Sequence, residues 1–361
     1  MSRIKHLYIH IPFCSSICAY CAFTKVYYNE ELALKYLDSL EEEINKKYKG
    51  DTLDTIYIGG GTPSSLSINA LKKLKNITDK LNKSKNIEFT FEVNPDVTID
   101  KLNIIKDMGV NRLSIGLETI NNKFYKSINR YNDENKFKEL IKYSKTLFNN
   151  INVDLMYGFN NETLSDLKKD LDYVISLKVN HISIYALMIE EHTKLYIEKY
   201  KEESDDKLNK MYYFIDNYLN KNNYIHYETS NFALKGYESI HNNSYWKNEE
   251  YYGFGLSASA YINDTRYTNT RSLDNYFNKK YITQYEKLSK YDKMVYEMIL
   301  GLRLKNGVSL KEFKDKYHKD LLDVFKIDDL INNGYLQIEN DRIFIPIKYW
   351  FVENSILERF V

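Results

Sequence analysis

Short apolar runs rich in β-branched and aromatic residues recur along the chain at intervals of about thirty to fifty residues, separated by charged stretches of helical period. LYIHI (7–11), TIYIG (55–59), IEFTFEV (87–93), RLSIGL (112–117), VDLMYG (153–158) and HISIYAL (181–187) predict strands. Between them, NEELALKYLDSLEEEINKKY (29–48) and INALKKLKNITDKLNK (68–83) repeat their apolar residues on one face, which predicts amphipathic helices. Six β–α units in succession, with strands hydrophobic enough for burial on both sides, predict an α/β fold: a partial (β/α)6 barrel of parallel strands. Ligand chemistry then belongs at the C-terminal ends of the strands.

The rhythm changes after about residue 225, where YIHYETSNFALKGYESIHNNSYWKNEEYYGFGLSASAY is rich in aromatics, Gly and Asn and has no helical period. From about residue 288 the helical pattern returns in YDKMVYEMILGLRL, SLKEFKDKY and DDLINNGY, followed by YLQIE and RIFIPI around Asn340 and Asp341. Three helices and a hairpin predict a small α+β, winged-helix-like domain. The expected divisions are a core barrel over 1–225, a connecting region over 226–287 and a C-terminal domain over 288–361.

Composition narrows the function classes. Of the 361 residues, 43% are hydrophobic and 15% aromatic, enough for a substantial core. Fifty-one Lys and Arg against fifty Asp and Glu give a net charge of +1, so no global field points to nucleic acid or an anionic membrane. The winged element carries no basic stripe, which points it to packing or partner contact. No apolar run approaches the roughly twenty residues of a membrane span, and MSRIKHLYIHIPF lacks a signal-peptide core. A cytoplasmic protein without an integral membrane segment is expected. Abundant Lys, Asn, Ile and Tyr beside four Pro reflect codon bias, so the 34 tyrosines do not mark a cofactor site.

All three cysteines, Cys14, Cys18 and Cys21, lie within IPFCSSICAYCAF. Their odd number and the missing secretory signal argue against a disulfide framework. Zinc is one reading, with His10 as a fourth ligand. A four-iron cluster is another; three thiolates would leave one iron without a protein donor. GGGTPSS (59–65) follows the second predicted strand, where glycines serve either as a turn or as a place for the backbone to approach a ligand. Glu92, Arg112, Glu118, Arg130 and Asp154 stand in or beside apolar strands. Buried charge requires partners, supplied either by an internal ion network or by a ligand.

With the cysteine loop directly after the first strand, CSSICAYC resembles the CxxxCxxC signature of the radical S-adenosylmethionine superfamily. The resemblance implies a [4Fe-4S] cluster on the three thiolates, with the amino and carboxylate groups of S-adenosylmethionine on the open iron. It further implies that Gly60, Gly61 and Thr62 hold the methionine part and that Tyr8 lies beside the cluster. Glu92, Glu118, Arg130 and Asp154 are then the remaining cofactor contacts, Glu118 standing where the family usually has Gln. Tyr20 and Phe23 are expected to wall the cluster from water.

LYIHIPFC, YIGGGTPS, VNRLSIG and GLRLKNGV resemble, over nearly the whole chain, the group of anaerobic coproporphyrinogen dehydrogenase and the HemW-type haem chaperones. The dehydrogenase has a further cysteine two residues after the third and a long extension before the first strand. Here Phe23 occupies that position and the strand begins within a few residues of Met1, as in the chaperone branch. HNNSYW (241–246) matches that branch's HNxxYW pattern, which implies His241 as an axial haem ligand with Tyr245 and Trp246 stacking on the porphyrin. GFGLSAS (253–259) is the counterpart of GxGxGA and is expected to pack against the barrel mouth. Two departures bear on cofactor cleavage more than on cluster binding: GFNNET (158–163) replaces a Pro-Gly turn, and SINRYN (127–132) lacks the Gly before and the His after its Arg. The expected function is a haem chaperone that holds cluster, S-adenosylmethionine and haem, and passes haem to an unknown acceptor protein. One alternative is an oxidoreductase acting on a porphyrinogen or other substrate through a 5′-deoxyadenosyl radical; another is a zinc-stabilised binding module.

Overall fold

Side-chain alternation within the strands decides which side of the sheet meets the helices. The computed structural model describes residues 3–130 and 133–361; Met1, Ser2, and Tyr131 and Asn132 of SINRYN lie outside the described residues. Six parallel strands stand side by side in chain order: β1 (His6–Ile11), β2 (Leu53–Gly60), β3 (Lys83–Val93), β4 (Arg112–Glu118), β5 (Asn150–Tyr157) and β6 (His181–Ala186). Each is followed by a helix: α1 (Glu30–Lys47), α2 (Ile68–Asp79), α3 (Ile99–Asp107), α4 (Glu134–Leu147), α5 (Leu164–Ser176) and α6 (Asp205–Lys221). The six expected β–α units are all present. Their helices start where the sequence caps them: Asn29 accepts from the Leu32 N–H, and Thr163 with Asp166 forms a capping box.

One side of each strand is apolar. Leu7 and Ile9, Ile56 and Ile58, Phe89 and Phe91, Leu113 and Ile115, Val153 and Leu155, and Ile182 and Ile184 are buried in one core with helix residues such as Leu37, Leu74, Leu102 and Leu171. The other side is polar: His6, Tyr8 and His10 alternate along β1, Glu88, Thr90 and Glu92 along β3, and Arg112, Ser114 and Gly116 along β4. The structure thus corrects the expectation of strands apolar on both sides. The inner side lines a chamber instead of a packed barrel core, and polar residues alternate with the apolar ones at the strand period.

Residues after β6 widen the sheet at both edges. β7 (Ile225–Glu228) and β8 (Asn231–Ala233) join antiparallel beyond β6, while β9 (Tyr251–Phe254) runs parallel to β1 on the far edge. β10 (Ser259–Ile262), β11 (Thr265–Asn269) and β12 (Ile282–Lys287) continue from β9 as an antiparallel meander, completing twelve strands. Between β8 and β9, helix α7 (Ile240–Trp246) closes the end of the barrel where the strands begin. Glu88 caps it, accepting from the N–H groups of Ile240 and His241 at 2.9 Å each. In GFGLSAS, Gly255 has φ +99°, and a Cβ there would stand 2.5 Å from the His10 carbonyl oxygen.

A second core, built from Met298, Phe313, Leu330, Ile343 and Trp350 among others, lies in the C-terminal part. It is formed by α8 (Lys290–Gly301), α9 (Leu310–Tyr317), three shorter helices (Leu321–Val324, Asp328–Asn332 and Glu353–Leu357), the 3-10 turns Ile347–Val352 and Glu358–Phe360, and a small sheet. That sheet has strands β13 (Val308–Ser309), β14 (Gln337–Glu339) and β15 (Arg342–Phe344), with β15 in the middle. Asn340 and Asp341, at φ 48° and 66°, make the hairpin turn. No helix among the described residues is long and apolar enough to cross a membrane.

Two buried carboxylates fasten these parts. Glu43 of α1 accepts from Lys47 at 2.6 Å, the Tyr276 hydroxyl at 2.7 Å, Asn269 Nδ2 at 2.8 Å and the Gly255 N–H at 2.9 Å, tying α1 to the added strands. In GFNNET, fully buried Glu162 accepts from the Gly158 N–H at 2.6 Å and the Phe159 N–H at 3.0 Å, doing the work of the Pro-Gly turn it replaces. Phe159 then stacks on Phe124, with ring centroids 5.0 Å apart, in a small apolar cluster that includes Ala19 of the cysteine loop.

Glu43→Ala is expected to cost about 3–5 kcal/mol in urea unfolding, because it strands a lysine and three other donors; a loss below about 1 kcal/mol would show that the added strands do not depend on it. Burial pushes Glu162 from its ordinary 4.5 up to about 8. Its contribution to stability is therefore complete below about 4.5 and is lost as pH rises through about 8. Glu162→Gln keeps an acceptor and cannot ionise, so it should gain on the wild type over that window by an amount on the order of a few kcal/mol. A pH-independent difference between the two unfolding curves would count against this account.

Candidate functional site

The cysteine loop leaves the C-terminal end of β1 and is clamped from several sides. Phe13–Cys14 pairs with Val26–Tyr27, drawing the two ends of the loop together. The Ala19 N–H donates to the Ile128 carbonyl at 2.9 Å, and Asn129 Nδ2 donates to the Ile17 carbonyl at 2.9 Å. Arg271 donates to Thr24 Oγ1 at 3.0 Å and to the Ala22 carbonyl at 3.2 Å. His10 holds the loop to the strand, with Nε2 2.9 Å from the Thr24 carbonyl and Nδ1 3.0 Å from the Tyr8 hydroxyl. Burial lowers His10 to about 4, so it is neutral. Its nitrogens are engaged away from the thiols, which removes the fourth ligand of the zinc reading. Among the described residues, no three His, Cys, Asp or Glu side chains converge to hold one metal ion.

Cys14, Cys18 and Cys21 line one rim of a cavity of about 580 Å³ that opens at the strand ends. Gly60 and Gly61 lie against that rim. A Cβ on Gly61 would stand 2.9 Å from Cys14 Sγ and 2.8 Å from the Pro12 carbonyl carbon, and one on Gly60, at φ +122°, would meet the His10 ring at 2.7 Å. Only glycine allows this approach. Thr62 Oγ1 is 3.8 Å from Cys14 Sγ. Glu92 accepts from the Tyr57 hydroxyl at 2.8 Å and the Gly60 N–H at 3.0 Å.

Across the cavity Arg130 donates to Glu118 Oε1 at 2.7 Å, to Asn94 Oδ1 and the Gly116 carbonyl at 3.2 Å each, and to Cys18 Sγ at 3.5 Å. Glu118 reaches this position through an irregularity in the β4–β5 register and a left-handed φ of 61°. Its second oxygen is buried without a partner. Asp154, deeper in, accepts from Ser114 at 3.1 Å and Asn152 at 2.8 Å.

Burial dominates the electrostatics. It pushes Glu92 and Glu118 up to about 7, Arg130 opposing the shift at Glu118, and it also raises Asp154. The Cys14 thiol is pushed up to about 11 and Cys18 is raised as well, so by themselves these two thiols are neutral. Bound metal reverses that, since a coordinating thiol is deprotonated outright. Soft thiols at a rim, a bare-backbone cradle beside them, and an acid, Glu118, with an unused carboxylate oxygen match a cluster joined to an amine-bearing, cationic ligand.

The structure brings Cys14, Cys18, Cys21, Gly60, Gly61, Thr62, Glu92, Glu118, Arg130 and Asp154 to one cavity. Tyr8 lies one layer behind, its ring 6.1 Å from Tyr57. Tyr20 donates to Glu118 at 3.1 Å, and Phe23, 69% exposed, lies on the cavity lining with the three cysteines. His241 differs from expectation. It is 1% exposed, with Nδ1 2.7 Å from Thr55 Oγ1 and Nε2 2.8 Å from the Tyr245 hydroxyl, and Tyr57 lies between it and the cavity. His241, Tyr245 and Trp246 are absent from the lining; Asn242 represents their motif there. Both imidazole nitrogens are committed to the barrel floor, so His241 is not an open axial ligand in this structure. Sequence reading passed over Tyr57, Ser114 and Asn152, whose only signal was the strand alternation that turns polar residues inward; Asn242 stood inside HNNSYW, but the motif drew attention to its His, Tyr and Trp.

Residues 8–174 match the Radical SAM superfamily and residues 288–348 the HemN C-terminal domain. The chain is 38% identical to "Heme chaperone HemW" of Lactococcus lactis, over 100% of this chain and 98% of that protein. It is 34% identical to the HemW of Bacillus subtilis, over 99% of each, and 30% identical to that of Escherichia coli, over 98% and 97%. Its fold superposes on coproporphyrinogen III oxidase (HemN) of Escherichia coli with a TM-score of 0.89 at 22% identity, covering 99% of this chain and 90% of that one. Sequence likeness from end to end and a barrel with three cysteines at its rim agree: the chain belongs to the HemW family of the radical SAM superfamily.

Proposed function

We propose that the chain holds a [4Fe-4S] cluster on Cys14, Cys18 and Cys21, binds S-adenosylmethionine at the cluster's open iron, and carries haem to an acceptor protein. The observation that carries this reading is the rim of three thiols, with no fourth cysteine in the chain, facing a chamber of buried acids and arginines. End-to-end likeness to proteins named heme chaperones supports haem as the cargo.

Gly60, Gly61 and Thr62 would pass the methionine part along bare backbone. Glu92, with a carboxyl near neutrality, would accept from the ammonium, while Asp154 faces the polar remainder. Arg130 would keep Glu118 oriented and screen Cys18. When bound, S-adenosylmethionine supplies a sulfonium that an electron from the cluster can split. Haem would enter over an apolar mouth where Phe23, Met188 and Tyr185 are 69%, 65% and 43% exposed, with α7 as the floor beneath. Three thiols kept free of disulfides suit a reducing, cytoplasmic setting.

Anaerobic reconstitution with iron and sulfide should give about four irons per chain, and Cys14→Ala, Cys18→Ala or Cys21→Ala should each abolish that content. One zinc per chain in the wild type would sink the cluster reading. In the same samples, haem titration should reach a stoichiometric end point with little 5′-deoxyadenosine formed under reductant; brisk deoxyadenosine formation without bound haem would identify an enzyme instead. His241→Ala should lower unfolding stability by about 1–3 kcal/mol, since it removes the Tyr245 hydroxyl's acceptor and one of the two ring partners of Thr55, while retaining haem stoichiometry. Loss of haem at unchanged stability would restore His241 as a ligand.

A further inference from the structure

Two arginines line the cavity, and they are treated differently. Arg130 is tied to a carboxylate, an amide, a carbonyl and a thiol. Arg112, the first residue of β4, is 2% exposed and lines the same chamber, yet among the described residues it makes no side-chain hydrogen bond and no ion pair. Its Nε is buried without a partner. Glu92 and Asp154 lie near enough to feel its charge, but neither comes within ion-pair distance, and their oxygens accept from Tyr57 and Gly60 and from Ser114 and Asn152. A guanidinium does not lose its proton at any accessible pH, so the charge persists. A buried cation whose N–H groups find no acceptor is unfavourable, and an anion held against them lowers that cost.

We propose that Arg112 is the anion anchor of this cavity and receives a carboxylate of the bound ligand through two parallel N–H bonds. A carboxylate matches the guanidinium fork in shape and charge, and Asn242 lies on the same lining. This inference rests on the cluster, cofactor and haem reading above, in which two carboxylates can reach the cavity: a haem propionate and the α-carboxylate of S-adenosylmethionine. Depth separates them. Arg112 lies four residues before Gly116, whose carbonyl Arg130 holds, which places it about 13 Å further from the cysteine rim along the strand. Arg130 stands toward the rim and Arg112 starts at the deep end, so a carboxylate held at the rim meets Arg130 first, whereas a propionate at the leading edge of a macrocycle is carried toward Arg112.

The test uses cluster-reconstituted full-length protein and two ligand pairs: haem against haem dimethyl ester, and S-adenosylmethionine against its decarboxylated analogue, with dissociation constants read by absorbance and calorimetry. In the wild type, the carboxylate form of one pair should bind roughly 10- to 100-fold more tightly than its partner. Arg112→Gln should erase that preference and leave the analogue's affinity within about twofold, and Arg112→Lys should restore only part of it. A preference within the haem pair names the propionate as the bound group; one within the other pair names the α-carboxylate. The proposal is overturned if the wild type shows no preference in either pair, or if Arg112→Gln weakens both members of a pair alike. Should the variant not fold, the wild-type comparison decides alone. A wild type that binds neither haem form sinks the haem reading, while the S-adenosylmethionine pair still tests Arg112.

Discussion

Every feature of the site depends on the two-residue alternation of six parallel strands. The helices claim one side for Leu, Ile, Val and Phe, and that claim turns whatever occupies the alternate positions toward the barrel axis. In a barrel filled by side chains those positions would be bulky and apolar. Here they are Tyr, Thr, Glu, Arg, Ser, Asn, Asp and Gly, so the interior stays open. A slip of one residue in any strand would exchange core for chamber, which fixes the site as firmly as the fold.

Burial then sets the chemistry. Glu92 and Glu118 are held near neutrality because burial penalises their charged forms, and Cys14 and Cys18 are held as neutral thiols for the same reason. These groups change state when a cation arrives, and part of the cost of burying them is returned by what binds. Glu118 adds a backbone cost, since a non-glycine residue at positive φ persists only where its surroundings impose it. The Arg130 ion pair and the Tyr20 hydroxyl are those surroundings.

Much of this was legible in the sequence, for identifiable reasons. The β–α rhythm showed because parallel strands and amphipathic helices differ in period, and the thiol rim showed because the spacing of Cys14, Cys18 and Cys21 is local. The strands of 225–287 stayed hidden because their order comes from distant pairing: β9 lies beside β1, and nothing near Tyr251 announces His6. The inward polar side was obscured because Tyr8, Tyr57 and Tyr185 count as apolar in a run while presenting hydroxyls to the interior. HNNSYW was read as a ligand motif, but what decides the state of His241 is Thr55, nearly two hundred residues earlier, whose partnership no local pattern encodes.

Helix α7 is made after all six repeats and belongs to none of them. Glu88, Thr55 and His6, which hold it, are all translated long before it. Synthesis runs from the N-terminus, so for the time needed to add the residues between β6 and Trp246 the nascent barrel is a tube open at both ends. The cysteine loop and its glycine cradle are already translated during that interval, while the floor and the Arg271 clamp are still to come. The order of translation therefore makes the metal end of the chamber before the end that turns it into a container.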